Sequence, residues 1–168
     1  MSLTGFSYTL SWSGFTTVSA RPQGVKEDAQ IHPEIRPGKF TLGRKGRSVT
    51  ITDMEMEVTI VSADCWVLSS FVNNSDLLNH EQGHFDIMAI NARELYNKLV
   101  GLSAASVSAL QTLATQTQEK FQRRVTTVDE RYDSQTNHSI DKAQQKTWDQ
   151  KIAAEKQKPN GSLDNLPL

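Results

Sequence analysis

The pattern of apolar and polar positions changes character once, near residue 70. Before it, the chain alternates. Tyr8, Leu10 and Trp12 are separated by polar neighbours and read as a strand. Val49 and Ile51 fall on odd positions, whereas Met54, Met56, Val58 and Ile60 fall on even ones. The parity switches at Asp53, which predicts a tight turn or a bulge there. Trp66-Val67-Leu68 is a further short strand, and an antiparallel sheet is the economical arrangement for residues 6–70.

After it, the period is helical. Ser75 or Asp76 caps a helix that carries Leu77, Phe85, Met88, Ala92, Leu95, Leu99 and Leu102 on one side, with a break at Gly101 to Ser103. A second helix, about 104–128, shows a narrow stripe of Val107, Leu110, Ala114, Phe121, Val125 and Val128. Polar residues from Asp133 to Asn137 predict a loop. Ser139 is positioned to cap a third helix with Ile140, Ala143, Trp148 and Ile152, and Lys156 to Leu168 reads as a loose tail. The expectation is one α+β domain over residues 1–168: a β-rich part at about 6–70, a helical part at 75–156 and a tail at 157–168.

Composition narrows the function classes. The chain has 168 residues, and its 18 Lys and Arg nearly cancel 19 Asp and Glu, so no net field favours nucleic acid. Gly43-Arg44-Lys45-Gly46-Arg47 reads as a solvated turn between strands. No stretch approaches the roughly 18 apolar residues of a membrane span. Cys65 is the single cysteine, which rules out an intrachain disulfide and leaves the compartment open. Met-Ser-Leu-Thr-Gly at the start has neither a basic nor an apolar leader segment, as a chain trimmed of its leader would also read.

The chemistry is concentrated on the first helix. His80-Glu81-Gln82-Gly83-His84 is an H-E-x-x-H pentad. Residues four apart share a helical face, so two imidazoles converge on one cation, and zinc accepts them. The adjacent Glu81 is placed to take a proton from water and pass it to a leaving amine. On a helical wheel Glu81 falls near the centre of the buried face, where a carboxylate is costly without a task. Chance would produce this pentad in roughly 1 of 200 such sequences. Gly83, unfavourable in a helix interior, implies close packing.

A third ligand has to come from elsewhere in the chain. Glu94 lies ten residues past His84, roughly 15 Å along an unbroken helix, and is rejected. Cys65 reads more simply as a small buried hydrophobe. His32, beside Pro33, looks structural or exposed. His138, just before the third helix, is the best candidate; a surface histidine at a helix start is the competing reading.

Longer strings carry a resemblance. Leu77-Leu78-Asn79-His80-Glu81-Gln82-Gly83-His84-Phe85-Asp86-Ile87, then Ala92-Arg93-Glu94-Leu95, closely resembles a bacterial family described from its motif as secreted zinc-dependent proteases. That family was long catalogued as a domain of unknown function and sits near the zincins. Tyr132-Asp133, Thr136, His138, Gln145 and Trp148-Asp149 are similar to its downstream block, and Leu10-Ser11-Trp12-Ser13-Gly14-Phe15 to its amino-terminal element. Gly14 stands where an Asp is common, and Ser139 where a Gly is usual. The resemblance implies a zinc (Zn2+) site on His80, His84 and His138, catalytic Glu81, a peptide or protein substrate, and a periplasmic or secreted setting. Tyr132 is placed to donate to an oxyanion, and Asp133 or Asp149 to orient a ligand imidazole. The function expected is that of a zinc metallopeptidase. Its rivals are a non-catalytic module with a structural zinc and an amidase of cell-wall linkages.

Overall fold

A computed structural model describes residues 2–167. Two long strands, β4 (Pro33–Lys45) and β5 (Ser48–Ile60), form an antiparallel hairpin around the turn at Gly46, whose φ of 63° suits glycine. β5 is also bordered by β1 (Ser2–Thr4), which runs parallel to it, and later by β7 (Ser103–Ala104). A second sheet orders β2 (Thr16–Val18), β6 (Trp66–Leu68) and β3 (Ala29–Gln30), with β2 parallel and β3 antiparallel to β6. The sheets are therefore mixed, where an antiparallel one was expected.

Three helices follow: α1 (Ser75–Leu99), α2 (Val107–Thr136) and α3 (Lys142–Gln157). The chain is thus α+β, an N-terminal β part followed by three helices. α1 is the axis of the core. Phe85, Ile87, Ala89, Ile90 and Ala92 have no exposed surface, because the helix is covered by strands on one side and by α2 and α3 on the other. A helix enclosed in this way can afford few polar residues, and those it has must be paired.

Several expectations hold and several do not. The parity switch at Asp53 is a bulge: Thr41 pairs with Asp53 and Leu42 with Ile51, leaving Thr52 as the extra residue. The Tyr8–Trp12 segment is not a strand; it is irregular chain ending in a short 3-10 turn, Trp12–Gly14. Within the alternating run of Met54 to Ile60, Glu55, Met56 and Glu57 lie between β4 and β1, and β4 is the edge. α2 runs on through Asp133 to Thr136, so the connection to α3 is 137–141 and opens with Asn137, His138 and Ser139. All three adopt left-handed backbone, with φ of 47°, 50° and 75°. Ser139 occupies a conformation that glycine takes freely, which accounts for the Gly usual in the resembling family. The caps also differ: Asn74 caps α1 and Asp141 caps α3.

The tail is the largest correction. Leu163 and Leu166 are buried, and the segment after α3 is fastened by charged groups. The Arg93 guanidinium donates to the carbonyls of Glu155, Lys156 and Gly161 at 2.7, 2.9 and 3.2 Å. Glu94 accepts from the Ser162 hydroxyl and the Leu163 N–H, and pairs with Arg124. Glu94 thus serves the C-terminal segment and takes no part near His80. Buried Glu155 accepts from Lys158, Asn165 and the Ser162 N–H.

The Lys158 ammonium and then the Asn165 amide outweigh burial and hold the Glu155 carboxyl down at about 2, against an ordinary value of 4.5. A depressed carboxyl contributes stability that is complete above about pH 4.5 and is lost as pH falls towards 2. Glu155→Gln should therefore lower the Tm at pH 7. The gap between wild type and variant should close as pH falls through that window, as followed by thermal melts.

Candidate metal centre

His80, Glu81 and His84 sit in the first turns of α1 and are buried, at 2, 3 and 9% exposure. Facing them is the last part of α2, where Asp129, Tyr132, Asp133 and Thr136 follow helical spacing and so share one side of the helix. Gln145 and Asp149 of α3 close the back. The cleft at the front, about 590 Å³, is also bordered by Ala29, Gln30 and Ile31, which bring β3 to the site.

Hydrogen bonding sets the imidazole tautomers. Gln145 Nε2 donates to the Tyr132 hydroxyl at 2.6 Å and to Asp149 Oδ1 at 2.8 Å, so its Oε1 is left to accept from His80 Nδ1 at 3.0 Å. His84 Nδ1 donates to Asp129 Oδ1 at 2.6 Å. With both Nδ1 atoms protonated, each neutral ring presents a bare lone pair at Nε2.

The two Nε2 atoms lie 3.2 Å apart, and Asp133 Oδ1 is 3.0 Å from each. Three acceptors thus meet with no donor among them, and only a cation, a metal or protons, relieves that. Tetrahedral zinc with bonds of about 2.0–2.1 Å sets its ligand atoms roughly 3.3 Å apart, close to the spacing found. The residues fit a metal ion. Among the described residues, His80, His84 and Asp133 form the group with metal-ligand spacing.

The electrostatics agree. Burial alone would keep His84 neutral, but Asp129 and Asp133 outweigh it and raise its pKa well above the ordinary imidazole value. Burial likewise pushes Asp133 up, yet hydrogen bonds with His80 and His84 hold it below the usual carboxylate range. Glu81 is raised to about 7, chiefly by burial, with His84 and the Ile31 N–H acting in the opposite direction.

The other residues singled out from the sequence are placed as follows. His138 is at the cleft rim, its side chain 42% exposed and its Nδ1 3.4 Å from Asp133 Oδ1, with its ring centroid 6.4 Å from that of His80. The Tyr132 hydroxyl is buried; it donates to the His80 carbonyl at 3.1 Å and accepts from Gln145, so its proton is not directed at an oxyanion. Its ring stacks on His80, and the hydroxyl passes over Gly83, where a Cβ would overlap it. The cost of Gly83 in a helix thus has its reason. Cys65 is buried, accepting from the His32 N–H and donating to the Val61 carbonyl, and is not in the group with metal-ligand spacing; the His32 side chain is half exposed.

Asp129 and the role of Gln145 escaped the sequence reading, and Asp133 entered it only as a group that orients a ligand. The signal was the four-residue spacing of Asp129 and Asp133, which means a shared face only once the segment is known to be helical.

Comparison with known proteins bears on this block. Residues 71–139 match the family described as bacterial protein of unknown function (DUF922). The match runs from just before α1 to just past His138 and includes every residue of the centre except those of α3. It supports the resemblance read from the sequence and names no reaction. No curated protein and no solved structure matches the chain.

Gly83→Ala should force Tyr132 off the helix and cost about 1–3 kcal/mol, as overpacked cores do. Denaturant unfolding measures it, and a loss below about 0.5 kcal/mol would mean that the contact is not tight.

Proposed function

We propose that the protein is a zinc-dependent hydrolase, a metallopeptidase acting on a peptide or protein in the cleft between β3 and α2. The observation that carries this reading is the convergence of His80 Nε2, His84 Nε2 and Asp133 Oδ1 without a donor, beside a buried Glu81 that forms no ion pair among the described residues. A zinc ion held there would supply Lewis acidity to a carbonyl and to water. The chain's own residues do the rest. Gln145 and Asp129 fix the imidazole tautomers and orient the rings. Glu81 takes a proton from water as it adds to the amide carbonyl and returns it to the departing amine, work suited to a carboxyl that titrates near neutrality. Tyr132 positions the His80 turn through its hydrogen bond. A structural zinc site would have a fourth protein ligand and no use for Glu81, which argues against the scaffold alternative. The periplasmic or secreted setting rests on the family resemblance alone.

The spacing of the side chains favours Asp133 as the third ligand. A second reading gives that place to His138, with Asp133 orienting it. The three left-handed residues 137–139 favour it, since strained backbone of this kind persists where surrounding structure holds it to a task. Zinc affinity separates the two: competition against a chelator should show a large loss for Asp133→Asn and a small one for His138→Ala. The reverse order would move the ligand to His138.

Glu81→Gln should keep about one zinc per chain by elemental analysis while kcat/KM on a peptide substrate falls at least about 100-fold. Loss of the metal in this variant would make Glu81 a ligand, and unchanged cleavage would remove it from the mechanism.

A further inference from the structure

At the other end of α1, roughly 25 Å along the helix from the histidines, lies a groove that the candidate centre does not use. It has a volume of about 480 Å³ and runs between the edge strand β4 and α2, lined by Phe40 and Leu42, Ile51 and Met54, and Leu110 and Ala114. Phe40 is 62% exposed, although its neighbours across the groove are apolar. Past Pro37 and Gln118, which line both hollows, a second one of about 280 Å³ leads to Asn91. The Asn91 side chain is 1% exposed, and its Oδ1 has no hydrogen-bond donor among the described residues. A buried acceptor without a donor is expensive and points to a ligand N–H.

Three features define that ligand. No strand among the described residues pairs with the outer edge of β4, so the edge offers a row of main-chain donors and acceptors. The hairpin tip is basic, and the acids Asp53 and Glu55 of β5 and Glu119 of α2 lie further along. Residues 39–52 carry Lys39, Arg44, Lys45 and Arg47 and no acid, and residues 98–118 carry Lys98 and no acid, in a chain whose net charge is −1. The groove is concave: Ile51, Met54 and Leu110 on its floor are buried, beyond the reach of a flat bilayer. A second copy of the chain pairing through β4 would bring together two strands that each carry Lys39, Arg44 and Lys45, with Glu34 already engaged by Arg36.

We propose that this groove binds an extended polypeptide segment, apolar at its centre and acidic at one end, as an added strand on β4. Main-chain hydrogen bonds to the edge give affinity, and alternate side chains enter the groove. The acidic end meets Arg44, Lys45 and Arg47 at the hairpin tip, and an N–H further along reaches Asn91. The proposal stands on the groove and holds whether or not the distant centre is hydrolytic.

Random dodecapeptides displayed on phage, selected against the full chain, test it, with the recovered sequences synthesised and titrated by fluorescence anisotropy. Phe40, Arg44 and Lys45 are exposed, so Phe40→Ser and the double variant Arg44→Glu/Lys45→Glu retain the fold, as circular dichroism will check. The expected result is enrichment of apolar peptides with an acidic end, bound at least about tenfold more weakly by both variants. No such enrichment, or binding indifferent to both variants, overturns the proposal. So does co-sedimentation of the wild type, but not the variants, with phosphatidylglycerol vesicles. A dimer that Phe40→Ser dissolves would also overturn it, by giving the groove to a second copy.

Discussion

The candidate centre depends on the passage of Tyr132 over Gly83. α1 and α2 can approach closely only because one carries no side chain where the other carries a phenol. The hydroxyl then donates to the His80 carbonyl while the ring stacks on the His80 imidazole, so one residue sets both the distance and the rotation of the helices. Asp129 and Asp133, one turn apart on the same side of α2, are brought against His84 and His80 by that contact. Gln145 completes it from α3 by holding the Tyr132 oxygen and His80 Nδ1 with the two ends of one amide. The result is a polar cluster in which each partner's orientation is imposed by another, the condition under which buried polar groups specify a geometry.

The same economy governs the far side of α1. A helix enclosed on nearly all sides has Arg93 and Glu94 in its last two turns, and both bond to the end of α3 or the segment after it. Arg93 caps the carbonyls at the end of α3, and Glu94 and Glu155 receive the N–H groups of the turn beyond Gly161. The C-terminal residues act as a strap whose charges are matched one by one, and the Leu163 and Leu166 side chains seal it.

The two ends of the long helices differ in chemistry. At one end, carboxylates from α2 outnumber cations and surround the imidazoles, a setting that attracts positive charge. At the other, the hairpin tip carries basic residues, and the start of α2 no charge, beside an open apolar groove. A near-zero net charge hides this separation, because the sum over the chain discards position.

Much was legible in the chain itself. The helical period of Phe85, Met88, Ala92, Leu95 and Leu99 implied a buried α1, and the pentad on it put two imidazoles on one face; both follow from local geometry, which four or seven residues suffice to express. The bulge at Asp53 was readable for the same reason, since a parity change in a period-two pattern has few other meanings. What only the tertiary structure decided are contacts that local period does not encode. The 133–137 segment looked like a loop because it is polar, and it is helical through Thr136 because its polar side chains are used by α1 and α3. The 157–168 segment looked loose because its composition is that of a turn, and it is fixed because Arg93 and Glu94, more than sixty positions earlier, bond to Gly161, Ser162 and Leu163 within it. Polarity tells where water or a hydrogen-bonding partner is needed; which of the two is supplied depends on what the fold brings alongside.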